Sequence, residues 1–433
     1  MRKKTITVMS ILFLLLAGAG LVFSGGGQET KETKTVGPVT LNLISHRFPM
    51  LEFYAEELGK SGIPEVKVEA NLMPRDKAAE LLRIALSAGG VSPYQIAWAD
   101  QVLLSEYASK GWVEPLDDYI KKYKDVYHFD DIPNAIWDVV RYEGKIYGIP
   151  LSQNIMHFFY RKDIFAKYSL QPPKTFDEWF AAAKKVNGME TPYGTNLTLG
   201  RVDGLRNDFH GFLMGYGGEW FDSKNYPLFN GPQGIKAVTM IKEMMKYAPP
   251  EVLTYFNDQA MVAFQQGMVA MGNQWATRAA AMDDPKMSKV VGLIDFAPAP
   301  SGTVGGVPCS KLSPDIYIML KNINVDKDLV FRVMAEATDE ESMVKAAQFA
   351  FVPRKSVASR SDLVAKYRYW PAALATIVAG ARPDPIKPWF TEVDDIVTLR
   401  IAQALSGEME IKEALNLAAK EVTDLLKGGG YLK

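Results

Sequence analysis

The stretch Lys145-Ile-Tyr-Gly-Ile-Pro-Leu-Ser-Gln-Asn-Ile-Met-His-Phe-Phe-Tyr-Arg-Lys-Asp163 constrains the fold more than any other part of the chain. It opens on an apolar alternation interrupted by Gly148 and Pro150, offers polar side chains at Ser152, Gln153 and Asn154, and then runs through the strand-like Ile155 to Tyr160. Pro150 cannot donate to a sheet ladder and biases Ile149 towards an extended backbone. A chain that leaves one sheet, kinks and enters another reads this way. The stretch is therefore expected to cross between two lobes.

Upstream of it, strands and helices alternate. Val39 to Ile44, Val66 to Ala70 and Gln95 to Ala99 read as strands, and Leu51 to Leu58 and Asp76 to Ala88 as the helices between them. That order predicts a parallel sheet built by right-handed crossovers, whose carboxyl-terminal strand ends are where ligands bind. Those ends carry His46, Arg47, Asp100 and Gln101. Asp100 also suits the N-cap of a helix beginning at Gln101.

Downstream, Thr175-Phe-Asp-Glu178 is a capping box that starts a helix. Phe209 to Gly215 and Ile235 to Tyr247 read as two further helices, with a glycine-rich turn bearing Tyr216, Glu219 and Trp220 between them. A short helix over Ala260 to Gln266, closed by Gly267, leads to a predicted strand over Val269 to Met271 that delivers Asn273, Gln274, Trp275 and Arg278 to its carboxyl end. After a strand over Val291 to Phe296, Gly305-Gly306 is expected to make the second crossing, and Phe351 to Ser356 the third. The strand Ile316 to Leu320 and helix Lys327 to Ala337 return to the first lobe, and helices over Glu392 to Leu405 and Ile411 to Leu426 close the second. The expected division is 38–148 with 307–352 in lobe 1, and 149–306 with 353–433 in lobe 2.

With 433 residues and 48% hydrophobic content the chain can build two cores, and a formal net charge of -1 lacks the basic stripe a nucleic-acid partner calls for. Arg2, Lys3 and Lys4 followed by the apolar Val8 to Phe23 form a signal peptide pattern, with cleavage expected after Ser24. The run is short for a spanning helix of about 20 apolar residues and gives way at once to Gly25-Gly-Gly27. Gln28 to Gly37, polar and threonine-rich, is expected to be a disordered leader. Cys309 is the only cysteine, so an internal disulfide and a cysteine-cluster metal site are excluded.

Tyr147-Gly-Ile-Pro-Leu151, the polar pair, the aromatic strand and Tyr160-Arg-Lys-Asp163 resemble the first interdomain crossing of the extracellular solute-binding proteins of carbohydrate ABC importers, and the motif ending in Trp275 resembles theirs too. The likeness covers most of the chain after the leader, in the same order. It implies a two-lobed α/β fold of the type II periplasmic binding protein kind, each lobe a sheet flanked by helices and joined by hinge crossovers. It also implies a monomer, free in the periplasm, that captures a sugar, oligosaccharide or sugar alcohol and delivers it to a transmembrane permease, with no cofactor. Relatives often carry a lipid-modified Cys where Ser24 stands, so no lipid anchor is expected.

The residues expected on the ligand are His46, Arg47, Asp100, Gln101, Gln153, Asn154, Tyr216, Trp220, Gln274, Trp275, Arg278, Gly306 and Trp389, with Trp275 stacking on a sugar ring. A core tryptophan is the alternative for Trp275; its polar neighbours Asn273, Gln274 and Arg278 favour the ligand face. Val307-Pro-Cys-Ser-Lys311 departs from the aromatic and glycine that many relatives place there. The rival reading is a secreted glycoside hydrolase or polysaccharide lyase, which would also need aromatic clefts and carboxylates. No Gly-x-Ser-x-Gly elbow, phosphate loop or His-Glu-x-x-His helix is present, and His46, His128, His157 and His210 are too scattered to show ligand spacing.

Overall fold

The computed structural model describes residues 39–63 and 66–432; the expected signal peptide and leader lie outside the described residues. The strands are β1 (Val39–His46), β2 (Val66–Met73), β3 (Ile96–Ala99), β4 (Arg141–Tyr142), β5 (Lys145–Ile146), β6 (Gly148–Pro150), β7 (Met156–Arg161), β8 (Met271–Trp275), β9 (Ile294–Ala297) and β10 (Ile316–Met319). A five-stranded sheet runs in the order β2-β1-β3-β10-β6, a three-stranded sheet in the order β8-β7-β9, and β4 with β5 forms a hairpin.

The first sheet is mixed rather than wholly parallel. β1 pairs in parallel with β2 and β3, whereas β10 runs antiparallel to both β3 and β6. The cause lies in the connection. β10 is reached from the second sheet and not through a helical crossover, so it enters from the opposite end.

The second sheet sits between two cores. On β7, Phe158 is buried in one apolar cluster and the next residue, Phe159, in the other, as the two-residue period of a strand requires. Its partner β8 begins at Met271, two residues after the expected start, because the ladder from Met156↔Trp275 to Tyr160↔Met271 sets the register. Asn273, Gln274 and Trp275 thus lie within the strand, and Thr277 and Arg278 on the 3₁₀ turn Ala276–Arg278 that follows.

The helix expected from Phe209 begins six residues earlier, spanning Asp203–Gly215, and every residue in it is buried. The added turns carry Asp203, Arg206, Asn207 and Asp208. Asp203 and Arg206 face inward as partners in a buried ion-pair network, Asn207 accepts from Lys311, and Asp208 accepts the Thr198 amide. The capping box forms as expected, with the Glu178 amide donating to Thr175 Oγ1 and the Thr175 amide to the Glu178 carboxylate.

The first crossing runs from β6 to β7. The chain beside it is Ser310 to Asp315 and not Gly305-Gly306, which lies in a turn closed by the Gly306 amide on Thr303 O. Leu151 N donates to Asp315 O at 2.8 Å and Ser313 N to Asn154 O at 2.8 Å, making the two passages an antiparallel ribbon. Gln153 ties the third passage to it, its amide donating to Phe351 O and its Nε2 to Val352 O. That third passage is longer than Phe351 to Ser356. Arg354 and Ser356 still bond to first-lobe groups, and the helix Trp370–Val378 is the element that packs on β7 and β9.

β6 can pair with β10 because residue 148 is glycine. A methyl group there would overlap the Ile316 side chain and lie 2.9 Å from Tyr317 O. Gly148→Ala is expected to destabilise the protein by about 1–3 kcal/mol through overpacking, read as a lower midpoint in denaturant unfolding.

Candidate ligand-binding site

A polar cavity of about 40 Å³ lies where the carboxyl ends of β1 and β3 face the end of β8, with the hinge ribbon behind it. From the first lobe it receives His46, Phe48, Arg75, Trp98 and Asp100; from the ribbon, Asn154, Lys311, Ser313 and Asp315; from the second lobe, Asp203, Asn257, Trp275, Thr277 and Arg278.

Asp100 does both things its position permits. Oδ1 accepts the Leu103 amide at 2.9 Å, capping the helix Gln101–Ser109, and Oδ2 accepts from Arg75 Nη2 at 2.6 Å. Burial raises its proton affinity, but Arg75, Arg206 and the Leu103 amide outweigh that and hold the carboxyl well below its usual range. His46 stands edge-on to Phe48 and Trp98, at 5.0 Å and 5.3 Å between ring centres. Burial, with Arg278 and Arg75 adding to it, pushes it down to about 3, so it is neutral at physiological pH.

Arg75 also reaches across the cavity, its Nε 3.6 Å from Asp203 Oδ1. Asp203 pairs with Arg206 at 2.9 Å, and Arg206 Nε lies 3.1 Å from Asp384 Oδ2, which binds Lys311 Nζ at 2.7 Å. Burial disfavours the charged Asp384, yet Lys311 and Arg206 outweigh it and keep the carboxyl below its usual range. The result is a continuous chain of alternating charges from one lobe into the other.

The indole of Trp275 is held by Asn257, which accepts its Nε1 at 3.0 Å and donates its own Nδ2 to Asp203 Oδ2 at 2.9 Å. Arg278 is 2% exposed and lies over Phe48 of the opposite lobe, 4.5 Å from the ring centre. One arm donates to Asp258 at 2.9 Å, while Nε and Nη1 are sealed from solvent without a partner among the described residues. Asn154 Oδ1 is sealed and unpartnered in the same way.

Asp315 ties the cavity to the hinge. Its carboxylate accepts from Trp98 Nε1 and from Ser152 Oγ, each at 2.9 Å. Burial dominates those bonds and pushes its carboxyl up to about 6. No group of three His, Cys, Asp or Glu side chains among the described residues has the arrangement to hold a metal ion.

Of the residues singled out from sequence, His46, Asp100, Asn154, Trp275 and Arg278 line the cavity. The others lie elsewhere. Arg47 turns outward to Glu52, and Gln101 is buried beside the ribbon, bonded to Leu312 O and Ser313. Gln153 serves the hinge, and Gln274 Oε1 accepts the Trp275 amide. Gly306 is in its turn, and Tyr216, Trp220 and Trp389 pack in or against the second lobe's apolar cluster, Trp220 bonded to His210. Arg75 and Trp98 were within reach of sequence reasoning: Arg75 closely follows β2, and Trp98 shares a strand face with Asp100 two residues on. Asp203, Asn257, Lys311 and Asp315 carry no local signal, since long-range folding alone brings them together.

Residues 51–344, more than half the chain, match the family described as bacterial extracellular solute-binding protein. The chain belongs to that family. This solute-binding protein is 24% identical over 436 residues to the mannitol-binding protein of Pseudomonas aeruginosa, covering 93% of this chain and 95% of the relative. Its fold is that of the type II periplasmic binding proteins. A ribitol-bound ABC transporter solute-binding protein from Agrobacterium radiobacter superposes with a TM-score of 0.80 at 24% identity, covering 90% of this chain and 99% of the other. A maltose-bound protein of T. maritima superposes with a TM-score of 0.81 at 22% identity, covering 89% and 100%.

The raised Asp315 carboxyl has a defined effect on stability. A folded-state pKa above the unfolded value of 3.8 means that the folded protein binds this proton more tightly, so stability falls as pH rises from about 4 to about 6 and levels off above. Relative to Asp315→Asn, the ligand-free wild-type protein is expected to lose about 1.4 kcal/mol per pH unit across that window, measured by urea unfolding at each pH.

Proposed function

We propose that this solute-binding protein captures a carbohydrate, either a sugar or a sugar alcohol, in the interlobe cavity and delivers it unaltered to the transmembrane permease of an ABC importer. The chemistry of the cavity wall carries this reading. Arg75, Arg278 and Lys311 balance Asp100, Asp203 and Asp315, so the lining offers strong donors and acceptors without a net formal charge. A hydroxyl group both donates and accepts, and a chain of hydroxyls can satisfy Arg278 and Asn154 together. Two indoles, Trp98 and Trp275, supply apolar surface for C–H groups. The relative named for mannitol and the neighbour solved with ribitol support the same ligand class.

Burying unpartnered donors of Arg278 disfavours a closed empty cleft. A ligand that fills that need favours closure, because it touches both lobes only when they are together. In this reading the segment through Ser24 is removed on export and the mature monomer works outside the cytoplasm.

Thermal unfolding against sugars and sugar alcohols tests the proposal. One compound at 100 times its dissociation constant should stabilise the protein by about 2.7 kcal/mol and be recovered unchanged. Trp275→Ala should weaken its binding about ten-fold or more. Hydrolysis of a glycoside, or no response to any carbohydrate, would overturn the reading.

A further inference from the structure

Resting on the carbohydrate reading above, we infer that the site holds one small unit, a monosaccharide or a sugar alcohol no longer than a hexitol, and that a buried partition of Lys311, Asp384 and His210 excludes longer saccharides. Behind that partition the second lobe has another recess of about 260 Å³, lined by Trp220, Phe221, Arg382, Lys387 and His210 among others. Its mix of aromatic and polar groups would suit a second sugar ring. One carboxylate and one imidazole separate it from the ligand cavity. Asp384 Oδ2 lies 2.7 Å from Lys311 Nζ on the cavity side, and Oδ1 lies 3.3 Å from His210 Nδ1 on the other.

Lys311 and Asp384 each have a second partner, and His210 is held by bonds of its own. Lys311 Nζ donates to Asn207 Oδ1 at 2.7 Å, and Asp384 is also paired with Arg206. His210 Nδ1 accepts the Trp220 indole N–H at 3.0 Å, which assigns its proton to Nε2, facing Arg382 O at 3.2 Å. Lys311, Asp384 and His210 are each 1% exposed. A saccharide reaching from the cavity into the recess would have to part Lys311 from Asp384 or displace His210, leaving a buried charge or an indole N–H unpaired. On another side, the Asp100–Arg75–Asp203 bridge spans the lobes.

The cavity is small. Its 40 Å³ accommodates about three or four water-sized groups, fewer than the non-hydrogen atoms of one hexose or hexitol, so even a single unit requires the lobes to part and each added sugar ring would part them further. Trp275 is fixed in one orientation, with the Lys311 ammonium 5.7 Å from its ring centre and its N–H on Asn257.

Calorimetric titration of the full mature chain with D-mannitol, ribitol, D-glucose and maltose decides the matter. The single-unit compound that binds best should bind about 100-fold or more tightly than maltose. Maltose binding equal to or tighter than every single-unit compound would overturn the inference, whereas binding of none of these, nor of any sugar or sugar alcohol in the wider unfolding screen, would overturn the carbohydrate reading beneath it. Lys311→Ala, or His210→Ala if the first variant does not melt cooperatively, should lower that preference at least about ten-fold by opening the recess. An unchanged preference in a folded variant would show that the partition does not set ligand length.

Discussion

The guanidinium of Arg75 stands between Asp100 in the first lobe and Asp203 in the second, and the rest of the site is arranged around that bridge. Removing so many charges from water is unfavourable unless each finds partners at short range. Here each partner leads to the next, through Arg206, Asp384 and Lys311. The network fixes the second-lobe wall of the cavity to a helix that is buried along its whole length. A site built this way is preorganised on the second lobe, and only the approach of Arg75 and its neighbours has to be completed on closure.

Behind the bridge, the hinge ribbon joins the two lobes beside the cavity. Asp315 sits at the junction, holding Trp98 of β3 with one oxygen and Ser152 of the first crossing with the other. Both crossings therefore meet at a residue that lines the cavity. A ligand hydroxyl near this carboxylate acts on the same group that positions the ribbon. Closure in proteins of this architecture needs differential contacts between open and closed states, and in the function proposed here Asp315, Asn154 and Arg278 would supply them.

The two-lobe plan was legible because its signals are local: period-two strands, a proline kink, a capping box, and an aspartate at the head of a helix. The position rule for strand ends points to His46 and Asp100, and the polar motif after Gly267 to Trp275 and Arg278, all four of which line the cavity. What resisted reading was the helix Asp203–Gly215, whose first turns look like surface because their charges are paired internally. Trp220 and Trp389 misled for the converse reason. An aromatic on a glycine- or proline-rich turn reads as lining of the interlobe cleft, yet these two are buried in the second lobe's core, Trp220 with one edge on the recess beside His210. Lys311 and Asp315 become part of the site only through the antiparallel run of the two crossings, a pairing between residues far apart in the chain.

Hydrogen exchange of the full chain with and without saturating mannitol, or whichever small carbohydrate binds best, tests the central claim most directly. The account predicts that ligand protects backbone amides at the end of β3, in both hinge crossings (151–156 and 310–316) and at the end of β8, while the turn at 217–226 exchanges as before. Protection confined to that turn, or spread evenly with none at the crossings, would contradict it.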